Sequence, residues 1–145
     1  MNETKISNLN NPQRWVDNII FDLLNNANGE IWISVNNELP LISEASPDSF
    51  LAAVKNSLVK EQPEIMDMFK EEDEFFDNTS HHTGLLWALE GLAWCPDYLR
   101  DVSLILLKLS RLDPGGGLSN RPINSITEIF KHKTSGHLYS LRMFK

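Results

Sequence analysis

Two adjacent histidines, His81 and His82, have the side chains best suited to metal chemistry in this sequence. Asp77 lies shortly before them, and the acidic run Glu71–Glu74 lies further upstream. Imidazole nitrogens and carboxylate oxygens together suit zinc or a similar ion, which would permit a small metal-dependent hydrolase. Adjacent side chains point in different directions, so we interpret the pair as solvated or helix-capping. We assign no metal, cofactor or catalytic residue.

Cys95 and Glu90 are the remaining candidates for a nucleophile and a general base. The two histidines lie roughly three helical turns before Cys95, which is too far for either to deprotonate its thiol. We therefore predict that Cys95 is a small buried residue at a tight turn. Glu90 is predicted to be an exposed or paired carboxylate.

The tryptophans and the glycine run have structural interpretations. Four tryptophans could stack on a ligand, but their spacing favours packing in the core: Trp15, Trp32, Trp87 and Trp94. The run Gly115–Gly117 follows a predicted helix and has no lysine at phosphate-binding spacing, so it is predicted to end that helix.

One polar stretch, Asn120–Ser125, supplies the interaction candidates Asn120, Arg121 and Asn124. Arg121 could bind a partner's carboxylate through its planar guanidinium. Alternatively, Asn120 and Asn124 could cap neighbouring helices. The second, structural role is favoured.

Charge and cysteine content restrict the class of protein. The chain of 145 residues has a formal net charge of -7, which opposes binding to nucleic acid. A single cysteine cannot form an internal disulfide, and the polar segment Met1–Asn11 has no secretory signal, so a reducing cytoplasm is expected. No apolar run is long enough to predict a membrane span.

Apolar residues recur at helical spacing in segments separated by proline and glycine, which predicts an all-α fold. We predict disorder over residues 1–10, one helical domain over 11–130 and an irregular tail over 131–145. The expected helices begin near these residues: Pro12, Asn36 (restarting at Pro40), Pro47, Pro63, Thr83, Pro96 and Ser125. In the last of these, Ser125 and Glu128 have the spacing of a capping box.

The segments around Pro47 and Pro96 follow the same pattern. In each, a helical segment containing Ala and Glu ends at Pro-Asp, and the next helix begins with an aromatic residue followed by Leu. The separation of these prolines is close to the period of about 40–47 residues in HEAT and armadillo arrays. We therefore predict antiparallel helix pairs in a HEAT-like repeat, although good helix starts could produce the same pattern.

Residues 82–130 read HTGLLWALEGLAWCPDYLRDVSLILLKLSRLDPGGGLSNRPINSITEIF, and residues 39–54 read LPLISEASPDSFLAAV. They resemble an all-helical region of large, mostly uncharacterised bacterial proteins, several of which are similar to STAND-type NTPases of antiphage defence. The resemblance implies a scaffold or sensor region without ATP hydrolysis, because the NTPase core of those proteins has no equivalent here. The sequence departs from the family pattern after Phe130, which suggests a stand-alone, truncated or frame-shifted piece.

The sequence therefore predicts a non-catalytic helical scaffold or protein-interaction module whose partner is another protein or domain. A homo-oligomer is compatible with this prediction. The alternative function is the metal-dependent hydrolase built around His81, His82 and the nearby carboxylates. As a third possibility, a truncated remnant would have no independent function.

Overall fold

A computed structural model describes residues 11–71 and 80–143, with side chains described as far as Thr134. Within these ranges the regular secondary structure is entirely helical, which confirms the all-α prediction. The helices are α1 (Pro12–Asn25), α2 (Gly29–Ser34), a first 3-10 helix (Asn36–Glu38), α3 (Leu39–Ala45), α4 (Pro47–Leu58), a second 3-10 helix (Glu64–Phe69), α5 (Thr83–Leu92), α6 (Pro96–Leu112) and α7 (Pro122–Met143). The predicted disorder of residues 1–10 lies outside the described residues.

Proline marks the start of most of these helices, because its missing N–H is not needed in the first turn. Asn11 caps α1, because its Oδ1 accepts a hydrogen bond from Arg14 N at 3.1 Å. The side chain of Ser46 does not cap α4. The Ser46 hydroxyl instead donates to Asp17 Oδ1 at 2.5 Å and ties the start of α4 to α1. This hydrogen bond lowers the pKa of Asp17.

Between α1 and α4 the chain forms two short α-helices, α2 and α3, with the first 3-10 helix between them. α2 begins at Gly29, before the predicted helix start at Asn36. The predicted helix from Asn36 is divided into the first 3-10 helix and α3, and Pro40 lies in the first turn of α3. The restart at Pro40 was therefore predicted close to its actual position.

The core lies around α5, which contacts the first 3-10 helix, α3, α6 and α7. α4 contacts α1, α3, α6 and the second 3-10 helix and thereby joins the first part of the chain to this core. Large side chains with no more than 1% exposure include Leu24, Trp32, Leu39, Phe50, Ile65, Phe69, Leu85, Leu89, Leu106 and Leu109. The helices predicted to begin at Thr83 and Pro96 thus both contribute buried side chains to this core.

Two predictions about the C-terminal part are wrong. α7 begins at Pro122, before Ser125, and it continues through the segment that was predicted to be irregular from residue 131. No proline interrupts the backbone hydrogen bonds there, so the helix continues although its apolar period fades. Ser125 lies inside the helix and its side chain is 1% exposed, so the predicted capping box is absent.

Among the helices of the described ranges, none is both long and apolar enough to cross a membrane.

Candidate functional site

His82 is buried and its side chain caps no helix, so the interpretation of the pair as solvated or helix-capping is wrong for this residue. It is 1% exposed, and its ring stacks on Phe69 with centroids 4.6 Å apart. Its Nε2 lies 2.6 Å from the carbonyl oxygen of Asn120. A carbonyl oxygen only accepts, so Nε2 carries the proton and cannot bind a metal in this arrangement. His82 occupies the N-cap position of α5, but its side chain makes no capping hydrogen bond.

The other predicted metal ligands do not join His82. His81 is only partly buried, and Asp77 lies outside the described residues. In the part of the chain that the structure describes, no group of three or more His, Cys, Asp or Glu side chains could hold a metal ion.

Arg121 is paired with two carboxylates of its own chain. Its side chain is 10% exposed and forms ion pairs with Glu71 and with Asp113, the latter at 3.1 Å between Nη1 and Oδ1. Its Nε also donates to the Leu118 carbonyl at 3.1 Å. The ion pair with Glu71 joins the loop between α6 and α7 to the residues that follow the second 3-10 helix.

Glu71 binds the same loop through its backbone. Its Oε2 accepts from Gly117 N at 2.7 Å, and its Oε1 accepts from Leu118 N at 3.1 Å. These two amides, with a smaller contribution from the charge of Arg121, lower the pKa of Glu71. The first residue of the acidic run therefore has a defined structural role.

The two candidate asparagines also bond within the chain. Asn120 Nδ2 donates to Thr83 Oγ1 at 3.3 Å, and Asn124 Nδ2 donates to the carbonyl of Ser119. Together with Arg121, they hold the loop in place, but their described hydrogen bonds are not the helix caps that the structural alternative expected.

Glu90 lies in the last turn of α5, and Cys95 lies just before α6. Glu90 is half-buried, and its Oε1 accepts a hydrogen bond from Ser125 Oγ at 2.5 Å, so it is a paired carboxylate. Cys95 is a free, half-buried cysteine at the N-cap position of α6, less buried than predicted. Among the described hydrogen bonds, neither residue is bonded to a histidine, so no cysteine–histidine pair forms there.

A groove of about 210 Å³ lies between α5 and α7, and we name it the Trp94 groove. It is lined by Glu90, Ala93, Trp94, Glu128, Ile129, His132 and Lys133. The His132 ring lies 6.2 Å from the Trp94 ring, and His132 Nε2 lies 3.3 Å from Glu128 Oε2. Sequence periodicity does not indicate this groove, because two of its residues, His132 and Lys133, lie beyond Phe130, where the apolar period of α7 fades.

Three of the four tryptophans are exposed, which corrects the prediction that they pack in the core. Trp15, Trp87 and Trp94 are 59%, 61% and 67% exposed, whereas Trp32 is fully buried. On α1, Trp15 is followed by the exposed residues Ile19 and Leu23 at successive four-residue steps. These three side chains form one stripe along the helix, which we name the α1 stripe.

Comparison of the chain with family models, curated proteins and solved structures finds no match.

Proposed function

We propose that this chain is a non-catalytic helical module that binds another protein through exposed apolar surface. The exposure of three tryptophans, two on helices and one in the turn after α5, is the observation that supports this function. Tryptophan is enriched where protein interfaces have their strongest contacts, because it combines a large apolar area with one hydrogen-bond donor.

The α1 stripe is the surface that best fits a partner. Its apolar residues Trp15, Ile19 and Leu23 adjoin the buried residues Ile20 and Leu24 on the same helix. A row of apolar side chains with this spacing matches the anchor pattern of helix recognition. We propose an apolar helix of another protein, or of another domain of a larger protein, as its occupant.

The architecture proposed for this module is a set of antiparallel helix pairs of HEAT-like type. The similar sequence patterns around Pro47 and Pro96 support it, because both prolines begin long helices, α4 and α6. The resemblance to helical regions of large bacterial proteins supports the related proposal that the module is a stand-alone or truncated piece of such a protein. Its cytoplasmic location is part of the same proposal.

Affinity purification from native cells tests this function. The wild-type chain is compared with two matched variants of the full chain. Trp15→Gln changes the α1 stripe, and Leu41→Gln changes an isolated apolar side chain that is 70% exposed. We expect a partner retained in stoichiometric amount by the wild type and by Leu41→Gln, and lost from Trp15→Gln, with unchanged melting temperatures. Light scattering identifies the case in which the partner is a second copy. Identical capture by all three proteins would contradict the proposal.

A further inference from the structure

We propose that the Trp94 groove binds a lysine or arginine side chain of the partner protein. This inference rests on the proposed function and specifies the chemistry of one contact. The groove is separate from the α1 stripe in sequence and is formed by α5 and α7.

The size of the groove fits a single side chain. Its volume of about 210 Å³ is below the range of about 300–1,000 Å³ that is typical of small-molecule and cofactor pockets. Ala93 and Ile129, which are 1% and 8% exposed, give it an apolar floor. The aliphatic stem of a long side chain can lie on such a floor while its charged end remains at the rim.

The indole of Trp94 provides a face for the cationic end. Trp94 is 67% exposed and lies just after α5, in the turn that leads to α6. The face of an indole ring attracts a cation more strongly than the faces of the other aromatic side chains. A planar guanidinium can also stack on it, which favours arginine over lysine.

The carboxylates supply the charge that complements a basic side chain. Glu90 is fixed in place by its hydrogen bond from the buried hydroxyl of Ser125. Glu128 lies across the groove on α7, and Lys133 contributes one positive charge. Among its Asp, Glu, Lys and Arg residues, the lining thus has two acidic side chains and one basic side chain. The net charge of -7 for the chain also favours a positively charged ligand.

Titration with single-residue probes tests the proposal without knowledge of the partner. The probes are N-acetyl-arginine amide, its neutral isostere N-acetyl-citrulline amide, and N-acetyl-glutamate amide. Binding is followed in nitrogen-15 correlation spectra by the indole N–H signal of Trp94, which is assigned by its absence from Trp94→Phe. We expect a saturable shift with the arginine probe, at millimolar concentration, and a much smaller one with citrulline.

Charge variants show which carboxylates contribute to binding of the arginine probe. Glu90→Gln keeps an acceptor for Ser125, and Glu128→Gln keeps the length of the side chain. Each is expected to weaken arginine binding about two- to fivefold, as for an exposed ion pair. Glu44→Gln, an exposed carboxylate on α3, is the matched control and should leave binding unchanged.

The outcomes separate this inference from the proposed function. Equal shifts with arginine and citrulline, preferential binding of the glutamate probe, or no shift at Trp94 would each overturn the inference. A partner that depends on Trp15 in the purification would still support the proposed function in that case. Conversely, arginine binding at Trp94 with no partner lost from Trp15→Gln would support the groove and count against the wider proposal.

Discussion

Replacing Asn36 with alanine tests the long-range contact that caps the central helix. Asn36 lies in the first 3-10 helix and is 5% exposed. Its Oδ1 accepts hydrogen bonds from Gly84 N at 2.9 Å and from Leu85 N at 3.4 Å. These amides are in the first turn of α5, where no intrahelical acceptor exists. Asn36 therefore performs for α5 the capping role that the side chain of His82 does not.

The magnitude follows from the two amides that alanine would leave without an acceptor. A buried donor without a partner costs about 1–3 kcal/mol, and the loss of a capping side chain about 1 kcal/mol. The longer of the two bonds contributes less, because hydrogen bonds weaken with distance. We therefore expect Asn36→Ala to lower the free energy of unfolding by about 2–3 kcal/mol.

Urea denaturation followed by far-ultraviolet circular dichroism measures this change. The midpoint should fall while the slope with urea remains constant, since the surface exposed on unfolding hardly changes. Asn37→Ala is the matched control, because Asn37 is the exposed neighbour and should change stability by less than about 0.5 kcal/mol. A loss for Asn36→Ala no larger than that of Asn37→Ala would refute the capping role.

Further predictions concern the same region and the α6–α7 loop. Gly84→Ala should lower thermal stability, because its Cβ would lie 1.7 Å from the Asn36 carbonyl oxygen, whereas Gly91→Ala should raise it, since that Cβ has open space. Arg121→Met should lower the free energy of unfolding, measured by urea denaturation, by about 3 kcal/mol, because it leaves two carboxylates without their cation. A loss no larger than that caused by replacing an exposed arginine would contradict this prediction. The lowered pKa of Glu71 means that its stabilising effect is present above pH 4.5 and is lost as the pH falls through the lower folded value. The difference in melting temperature between wild type and Glu71→Gln should therefore narrow below pH 4.5, and a constant difference would exclude this role.

The positions of most helices could be predicted from sequence because the signals are local. Pro47 and Pro96 each begin a helix at the predicted residue, since proline fixes its own backbone angle and needs no distant partner. Pro122 carries the same signal, but the spacing of Ser125 and Glu128 suggested a later start. Ser125 has a different partner, Glu90 on α5, and no local pattern indicates that contact.

The contacts that define the loop and the groove could not be predicted, because they join distant parts of the chain. Glu71 and Arg121 are far apart in sequence, and so are Glu90 and Ser125. Charge type shows that a residue can form an ion pair but does not identify its partner. His82 shows the same limit, since its burial depends on Phe69 and on the loop carbonyl of Asn120.

The exposure of the α1 stripe also depends on how distant parts of the chain pack together. It is the observation that supports the function proposed above. The apolar residues of α1 span about half of the helix circumference, because successive residues advance by about 100°. Ile20 and Leu24 occupy one half of this arc and are buried, whereas Trp15, Ile19 and Leu23 occupy the other half and are exposed. Periodicity indicates the whole arc but not how much of it the chain's own helices cover. The uncovered half is therefore apolar surface that the packing of the described residues does not explain, and a binding partner would account for it.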